Sequence, residues 1–162
     1  MNEELRPIKR SEQLTPLSRE HHDGLLFVYK IRRGLKNKVA VERISSFVNW
    51  FWDNHLEQHF RKEEEVLIPV MPFDDEKMTR MSEEHEEIEA LVHINRNIAD
   101  GAILDSIADK INDHIRFEER VLFPHIENQL PVAKLDEILE KLTMDAPSCG
   151  EWKDEFWKGA NS

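Results

Sequence analysis

The stretches HFRKEEEVLIP at residues 59–69 and HIRFEERVLFP at residues 114–124 share the pattern H-x-R-x-E-E-x-V-L-x-P without a gap. A shorter repeat lies upstream of each stretch, because residues 18–21 and 82–85 both read S-x-E-H. The chain therefore has two similar halves, and each half supplies a single histidine followed by a His-x-x-x-Glu pair. This duplication predicts two helical hairpins around a site with approximate two-fold symmetry.

Residues four apart project from the same face of a helix, so both members of each His-x-x-x-Glu pair can reach one ion. His59 pairs with Glu63, and His114 pairs with Glu118. The second pair continues an apolar stripe that consists of Leu104, Ile107, Ile111 and Val121. Burying an ionised glutamate on such a stripe is costly unless a partner charge or a metal compensates for it. The pattern therefore predicts a metal site inside the helical core.

Glycine and proline are few, at five and seven residues, which favours long helices. Four helices are predicted. The first begins at Thr15–Pro16 and fades near Gly34, and the second runs from about Val41 to Ile68. The third runs from a cap at Asp74 to Asp100–Gly101, and the fourth continues from there to an interruption at Pro124. The stripe predicted for the first helix contains Leu17, Leu25, Val28, Ile31 and Leu35. Short connections predict an all-α fold, an antiparallel up-down four-helix bundle.

A short amphipathic helix from Leu135 to Leu142 and an aromatic tail are predicted to follow the bundle. The tail carries Trp152, Phe156 and Trp157 and is expected to pack on the bundle. We interpret residues 1–162 as a single domain, with the bundle at about 14–130 and a C-terminal extension at about 131–162.

The distances of the histidines from the turns provide a separate test of a shared site. His59 lies ten residues before Pro69 and His85 eleven residues after Asp74, which is about 15 Å along each helix. His85 and His114 lie at comparable distances on either side of Asp100. Antiparallel helices would therefore bring these histidines, together with His21, to one level of the bundle.

The composition excludes several classes of partner. Lys and Arg number 22 against 33 Asp and Glu, for a net charge of −11, so we expect neither nucleic acid nor a membrane surface as a partner. No apolar run approaches the roughly 18 residues of a membrane-spanning helix. Cys149 is the single cysteine, and the first residues do not resemble a signal peptide, so we predict a cytoplasmic protein.

The remaining histidines are assigned by their position on the helices. His21 is favoured over His22, which points about 100° away from the apolar stripe. His55 lies one turn before His59; we favour a packed core histidine, although a supporting donor or a ligand stays open. His93 and His125 lack a convincing partner and are expected at the surface.

Several other groups near the repeat are weighed against the predicted ligands. Glu89 follows His85 by four residues but lies at the edge of its stripe, so its membership of the site stays open. Glu64 and Glu119 follow the paired glutamates and are expected to be solvated or hydrogen-bonded. Cys149 stands alone in the tail, which gives little support to a redox role.

Four imidazoles and two carboxylates exceed the needs of one tetrahedral zinc ion, whereas two ions bridged by Glu63 and Glu118 would use all six. Imidazole with carboxylate is a common non-haem iron environment, and such residues recur in di-iron helical bundles. We predict two irons, with manganese or zinc as alternatives.

The sequence resembles the hemerythrin-like, or HHE cation-binding, family of the bacterial type. The resemblance covers about residues 14–130 and rests on the order His, His-x-x-x-Glu, His, His-x-x-x-Glu, which is matched by His21, His59, Glu63, His85, His114 and Glu118. It implies a non-haem di-iron centre with oxo or hydroxo bridges and bridging carboxylates. By this analogy His21 and His59 bind one iron, and His85 and His114 bind the other.

The sequence departs from the oxygen-carrying hemerythrins, which have His-x-x-x-His on the third helix. Met81 stands four residues before His85 here, so one histidine ligand is missing and more coordination positions stay open to a small ligand. The pattern is similar to hemerythrin-like bacterial proteins and to iron–sulfur repair proteins, but we expect the chain to lack the cysteine-containing N-terminal segment of the repair group, because its single cysteine is Cys149.

Three functions are compatible with these observations. We favour a di-iron protein that binds or senses O2 or a related small oxidant, with O2 or NO as the small-molecule ligand. The alternative is a di-iron redox enzyme or iron donor that reduces nitric oxide or peroxide or repairs iron–sulfur clusters. A third is a scaffold whose aromatic tail docks a protein partner of unknown identity.

Overall fold

The computed structural model describes residues 10–143 and 150–159, and Cys149 lies outside them. Within these residues the α-helices are α1 (Thr15–Lys36), α2 (Val41–Phe51), α3 (Glu57–Leu67), α4 (Glu76–Asn97), α5 (Gly101–Phe117), α6 (Phe123–Gln129) and α7 (Val132–Leu142). A first π-helical segment, Trp52–Leu56, joins α2 to α3, and a second, Glu118–Leu122, joins α5 to α6. Short 3-10 turns cover Glu12–Leu14, Ile68–Val70 and Phe156–Lys158.

These elements form four bundle helices: α1, then α2 with α3, then α4, and then α5 with α6. Each bundle helix contacts the next, since α1 packs on α2, α2 on α4, and α4 on α5, and α5 returns to α1. The predicted all-α, up-down four-helix bundle is therefore confirmed. Helix α7 contacts α1 and α3. None of the helices in the described part of the chain is both long enough and apolar enough to cross a membrane.

The helix starts differ from prediction in two places. Thr15 does not cap α1, because a 3-10 turn precedes that helix and the Ser11 hydroxyl accepts the Leu14 N–H instead. Asp75, rather than Asp74, caps α4 by accepting the N–H groups of Lys77 and Met78 at 3.0 and 3.1 Å. Both corrections shift a helix boundary without changing the face that the helix buries.

The predicted interruption of the fourth bundle helix at Pro124 is wrong. The helix continues to Gln129, and Pro124 lies in the first turn of α6, where α-helical hydrogen bonding restarts and a missing N–H is tolerated. The break in regular geometry comes earlier, in the second π segment. Within this segment Val121 is 40% exposed and Leu122 is completely buried, so the predicted place of Val121 on the buried stripe is also wrong.

Leu25 does not lie on the buried face of α1, because its side chain is 43% exposed. The interior spacing runs through Leu17, His21, Gly24, Val28 and Ile31. Gly24 has no apolar side chain and so is easily missed when a stripe is judged from hydropathy, yet a Cβ at this position would lie 2.9 Å from the Ile115 side chain. The prediction that Leu25 belongs to the core is therefore wrong.

The buried apolar residues form two clusters on either side of one polar layer. On α1, Leu17 belongs to one cluster and Phe27 to the other, and His21 lies between them. On α4, Met81 and Ile88 flank His85 in the same way. The aromatic tail packs on the bundle as predicted, since Phe156 is fully buried. The fold thus excludes water from both sides of the histidine layer.

Candidate metal centre

The polar layer brings together all six side chains that the sequence predicts as metal ligands. Each is at most 4% exposed, although histidine and glutamate are usually found nearer the surface. The six are His21 on α1, His59 and Glu63 on α3, His85 on α4, His114 on α5, and Glu118 at the start of the second π segment.

The six side chains divide into two groups of four that share both glutamates. One group contains His21 and His59, the other His85 and His114, and Glu63 and Glu118 belong to both. Within each group, one ligand atom from every residue lies within 4.8 Å of the others. This arrangement could hold two cations side by side with the carboxylates between them.

The Nε2 atoms of the histidines face the two shared carboxylates. His21 Nε2 lies 2.7 Å from Glu118 and His59 Nε2 lies 3.3 Å from Glu63. On the other side, His85 Nε2 lies 3.1 Å from Glu63 and His114 Nε2 lies 3.1 Å from Glu118. Both halves of the repeat therefore direct the same ring nitrogen toward the centre.

Hydrogen bonding within the protein leaves part of this layer unsatisfied. Both carboxylate oxygens of Glu63, the Oε2 atom of Glu118 and the Nε2 atom of His59 are buried and make no hydrogen bond among the described residues. Buried polar atoms normally have a partner, and carboxylate oxygen and imidazole nitrogen are suitable ligands for transition metals. The donor set therefore fits one or more cations at this position.

The two glutamates are held in their ionised form. Burial raises the pKa of Glu63, as does the charge of Glu118, but His59 and His21 outweigh both and lower that pKa to about 2. Burial likewise opposes ionisation of Glu118, yet His114, His21 and His85 hold its pKa well below the ordinary value. The centre thus keeps two negative charges available for a cation.

The histidines compensate for these charges by binding protons. Burial lowers the pKa of His59, but the Glu63 charge and the hydrogen bond to Glu20 raise it to about 9. Contacts with the glutamates also outweigh burial at His21 and His85, whose pKa values lie well above the ordinary one, and at His114, whose pKa is raised. Metal binding at Nε2 would therefore displace protons.

Two residues that contact the candidate ligands were not predicted from the sequence. The Nδ1 atom of His59 is hydrogen-bonded to Glu20 at 3.0 Å, and that of His114 is hydrogen-bonded to Glu84 at 2.8 Å. Glu20 and Glu84 are the glutamates of the two S-x-E-H repeats. The signal was the repetition of a glutamate directly before each of the histidines His21 and His85.

The residues left open by the sequence lie outside the two groups. His22 is exposed, and Glu89 is 52% exposed and lies 3.7 Å from the surface residue His93. His55 is partly buried beside the Phe51 ring, with 4.8 Å between the ring centroids, and its Nε2 lies 3.7 Å from Asp23. Burial lowers the pKa of His55, which fits the favoured interpretation as a packed histidine.

The predictions for His125 and for the two glutamates beside the ligands, Glu64 and Glu119, have different outcomes. His125 was expected to lack a partner, and this is wrong, because its Nε2 is hydrogen-bonded to the helix-capping Asp75 at 2.7 Å. Glu119 is hydrogen-bonded to Ser18 at 2.8 Å, and Glu64 is 40% exposed. The expectation that these two glutamates are solvated or hydrogen-bonded is confirmed.

A small cavity adjoins the centre on the side of the apolar cluster that contains Phe27. It measures about 10 Å³, which is the room that one water-sized molecule needs. Three of the candidate ligands line it, together with apolar groups; the lining includes His21, His59, His114, Gly24, Phe60 and Ile111. A much larger cavity of about 730 Å³ lies beneath the aromatic tail, away from the six side chains.

Comparison with known proteins identifies one protein family. The family model described as the hemerythrin HHE cation binding domain matches residues 13–126. No curated protein and no solved structure matches the chain. The matched span contains all six side chains of the centre.

Proposed function

The chain belongs to the hemerythrin HHE cation-binding domain family, and from this premise we propose that it is a non-haem di-iron protein that binds or senses O2 or a related small oxidant. His21 and His59 would hold one iron and His85 and His114 the other, and Glu63 and Glu118 could serve both, since they belong to both groups. The observation that carries this proposal is that both buried carboxylates lie within reach of both histidine pairs.

The surrounding residues suit a small ligand. The iron pair, when bound, supplies redox chemistry and open coordination positions to a diatomic oxidant. The two apolar clusters flank the centre, and the adjoining cavity of about 10 Å³ has room for one molecule of about the size of water. Met81 is fully buried where the oxygen carriers have a histidine, which leaves one position without a fixed imidazole.

Metal analysis with optical spectroscopy tests this proposal. Purified protein loaded anaerobically with iron(II) is expected to retain close to two irons and to develop near-ultraviolet ligand-to-iron absorption when exposed to O2. Parallel titrations with manganese(II) and zinc(II) determine whether iron is preferred. A folded protein that stays colourless and retains no metal under all these conditions would overturn the proposal.

Met81 also favours a second candidate, a di-iron enzyme that reduces nitric oxide or peroxide or donates iron for cluster repair. An apolar residue in place of an imidazole leaves room for a substrate as well as for a reversibly bound ligand. Multiple turnovers of nitric oxide or peroxide by the iron-loaded protein with a reductant would support the enzyme. Stoichiometric, reversible binding without turnover would support the sensor.

We further propose a cytoplasmic location and a small-molecule ligand rather than nucleic acid or a membrane. The net charge of −11 would repel both polyanionic partners. Fractionation of cells that produce the protein tests the location.

A further inference from the structure

Four glutamates lie behind the four histidines of the centre, and we call Glu20, Glu64, Glu84 and Glu119 the outer carboxylates. Each faces the Nδ1 atom of a different histidine, on the opposite side of the ring from Nε2. The distances are 3.0 Å from Glu20 to His59, 3.9 Å from Glu64 to His85, 2.8 Å from Glu84 to His114, and 3.4 Å from Glu119 to His21.

These contacts form a closed ring around the bundle. Every bundle helix contributes one outer carboxylate and one of the four histidines. The first bundle helix reaches the second through Glu20, the second reaches the third through Glu64, the third reaches the fourth through Glu84, and the fourth returns to the first through Glu119.

The ring accounts for sequence features that the six ligands leave unexplained. Glu20 and Glu84 directly precede the single histidine of each half, and Glu64 and Glu119 directly follow the glutamate of each His-x-x-x-Glu pair. The repeated E-H and E-E pairs therefore each combine one side chain that faces the centre with one that faces a neighbouring histidine. The duplication has preserved the outer contacts as well as the inner ones.

From this geometry we infer that Glu20 and Glu84 are positioning residues that hold the imidazoles of His59 and His114 with Nδ1 protonated and Nε2 directed at the metal, an inference that rests on the proposed di-iron function. An acceptor at Nδ1 fixes both the tautomer and the ring orientation of a metal-bound histidine. Glu20 and Glu84 would therefore orient the imidazoles of His59 and His114 before metal binds.

The ring is not uniform, and its differences predict unequal effects. Glu20 and Glu84 make hydrogen bonds to their histidines and are themselves anchored by cations, Lys62 and Arg80, each at 2.8 Å. Glu119 and Glu64 lie farther from their histidines, at 3.4 and 3.9 Å, and make no hydrogen bond to them, since the Nδ1 atoms of His21 and His85 have no hydrogen-bond partner among the described residues. Glu20 and Glu84 should therefore contribute most to metal affinity.

The chain offers a matched control on one helix, because Glu83 and Glu84 are neighbours and only Glu84 contacts the ring of His114. Glu84→Ala and Glu83→Ala remove the same charge, and Glu83 is exposed. Iron(II) retention is measured in competition with a chelator. We expect roughly 10- to 100-fold weaker binding for Glu84→Ala, little change for Glu83→Ala, and an intermediate value for Glu84→Gln, whose amide oxygen can still accept the Nδ1–H.

A second measurement separates positioning from a merely structural role. Nitrogen NMR of the zinc-loaded protein reports the histidine tautomers and the exchange of the Nδ1 protons with water. Glu84→Ala should accelerate proton exchange at His114 and leave the other histidines nearly unchanged. Glu64→Ala, compared with the exposed neighbour control Glu65→Ala, should weaken iron binding less than Glu84→Ala does.

The outcomes distinguish the two proposals. If the unmodified protein retains no iron, the di-iron function fails. If it retains two irons and Glu84→Ala holds them as tightly as Glu83→Ala, the di-iron function stands and the positioning role is overturned. Circular dichroism establishes that each variant is folded, and Glu84→Gln decides the question if the alanine variant does not fold.

Discussion

The Nε2 atoms of His85 and His114 lie 3.1 Å apart in the interior of the bundle. In the metal-free protein one ring can donate its Nε2–H to the other, and a cation bound at this position would take both nitrogens as ligands in place of the proton. Metal–nitrogen bonds of about 2.1 Å at a right angle separate two nitrogens by about 3.0 Å. The spacing of this pair therefore suits two ligands of the same cation.

Substitution of a histidine should have a different effect on iron content from substitution of a bridging glutamate. His85→Ala removes a ligand from one group only, so we expect about half of the iron of the unmodified protein to remain. Glu118→Ala or Glu63→Ala removes a residue common to both groups and should reduce the content at both positions. Iron is measured per folded chain, and the exposed Glu89→Ala serves as the control. Equal iron in Glu118→Ala and Glu89→Ala would contradict a bridging role.

The metal-free protein should be most stable in mildly acidic solution. The pKa of His59 rises from 6.5 to about 9 on folding, so its stabilising effect is complete below pH 6.5 and is lost as the pH rises through 9. The pKa of Glu63 falls from 4.5 to about 2, so its effect is complete above pH 4.5 and is lost as the pH falls through 2. We therefore expect maximum stability between about pH 4.5 and 6.5.

Unfolding of the metal-free protein by denaturant, repeated from acid to alkaline pH, checks this profile. His59→Gln should flatten the fall in stability between pH 6.5 and 9. His93→Gln, which replaces a histidine that is 61% exposed, should leave the profile unchanged. A stability that rises steadily across this alkaline range would be inconsistent with protonated histidines in the folded centre.

Iron should stabilise the fold, and the effect should grow with pH. A ligand that binds only the folded state at 100 times its dissociation constant adds about 2.7 kcal/mol, which raises Tm by roughly 5–10 °C for a chain of this size. Because iron must displace protons from Nε2, the increase should be larger at pH 8 than at pH 6. Calorimetry with iron and then with excess chelator measures it. An identical Tm in both samples would exclude a metal site coupled to folding.

The repeat was sufficient to predict which six side chains meet, because helix periodicity fixes the face and distance along the helix fixes the level. The surroundings were harder to predict. The two copies of the motif place Val66 and Val121 at equivalent positions, yet Val66 is 7% exposed and Val121 is 40% exposed. A π segment lies within the second copy, whereas the equivalent residues of the first copy are α-helical, and the shared pattern contains no signal for this difference.

Long-range partners explain the remaining errors. Asp75 accepts a hydrogen bond from the ring of His125, 50 positions further along the chain, as well as capping α4. Glu20 likewise reaches His59 across 39 positions. Spacing within one helix cannot reveal such pairs, because they depend on how neighbouring helices rotate against each other. Repetition was the only available sign, and for Glu20 and Glu84 it was present.

Removal of the Phe156 side chain should destabilise the bundle without affecting the metal centre. Phe156 is fully buried, and its ring lies 5.3 Å from the Phe47 ring between centroids. The fit is close enough that a Cβ at Gly34 would lie 2.8 Å from the Phe156 ring. Phe156→Ala should therefore leave a cavity and cost about 3–5 kcal/mol of unfolding free energy.

Phe73 provides the matched control, because it is the same residue type at 99% exposure. Phe73→Ala should change stability by less than about 0.5 kcal/mol, and both variants should retain as much iron per folded chain as the unmodified protein. Denaturant unfolding of the metal-free variants measures the difference between them. Equal stability of Phe156→Ala and Phe73→Ala would mean that the tail is dispensable to the bundle and would favour a role in docking a partner.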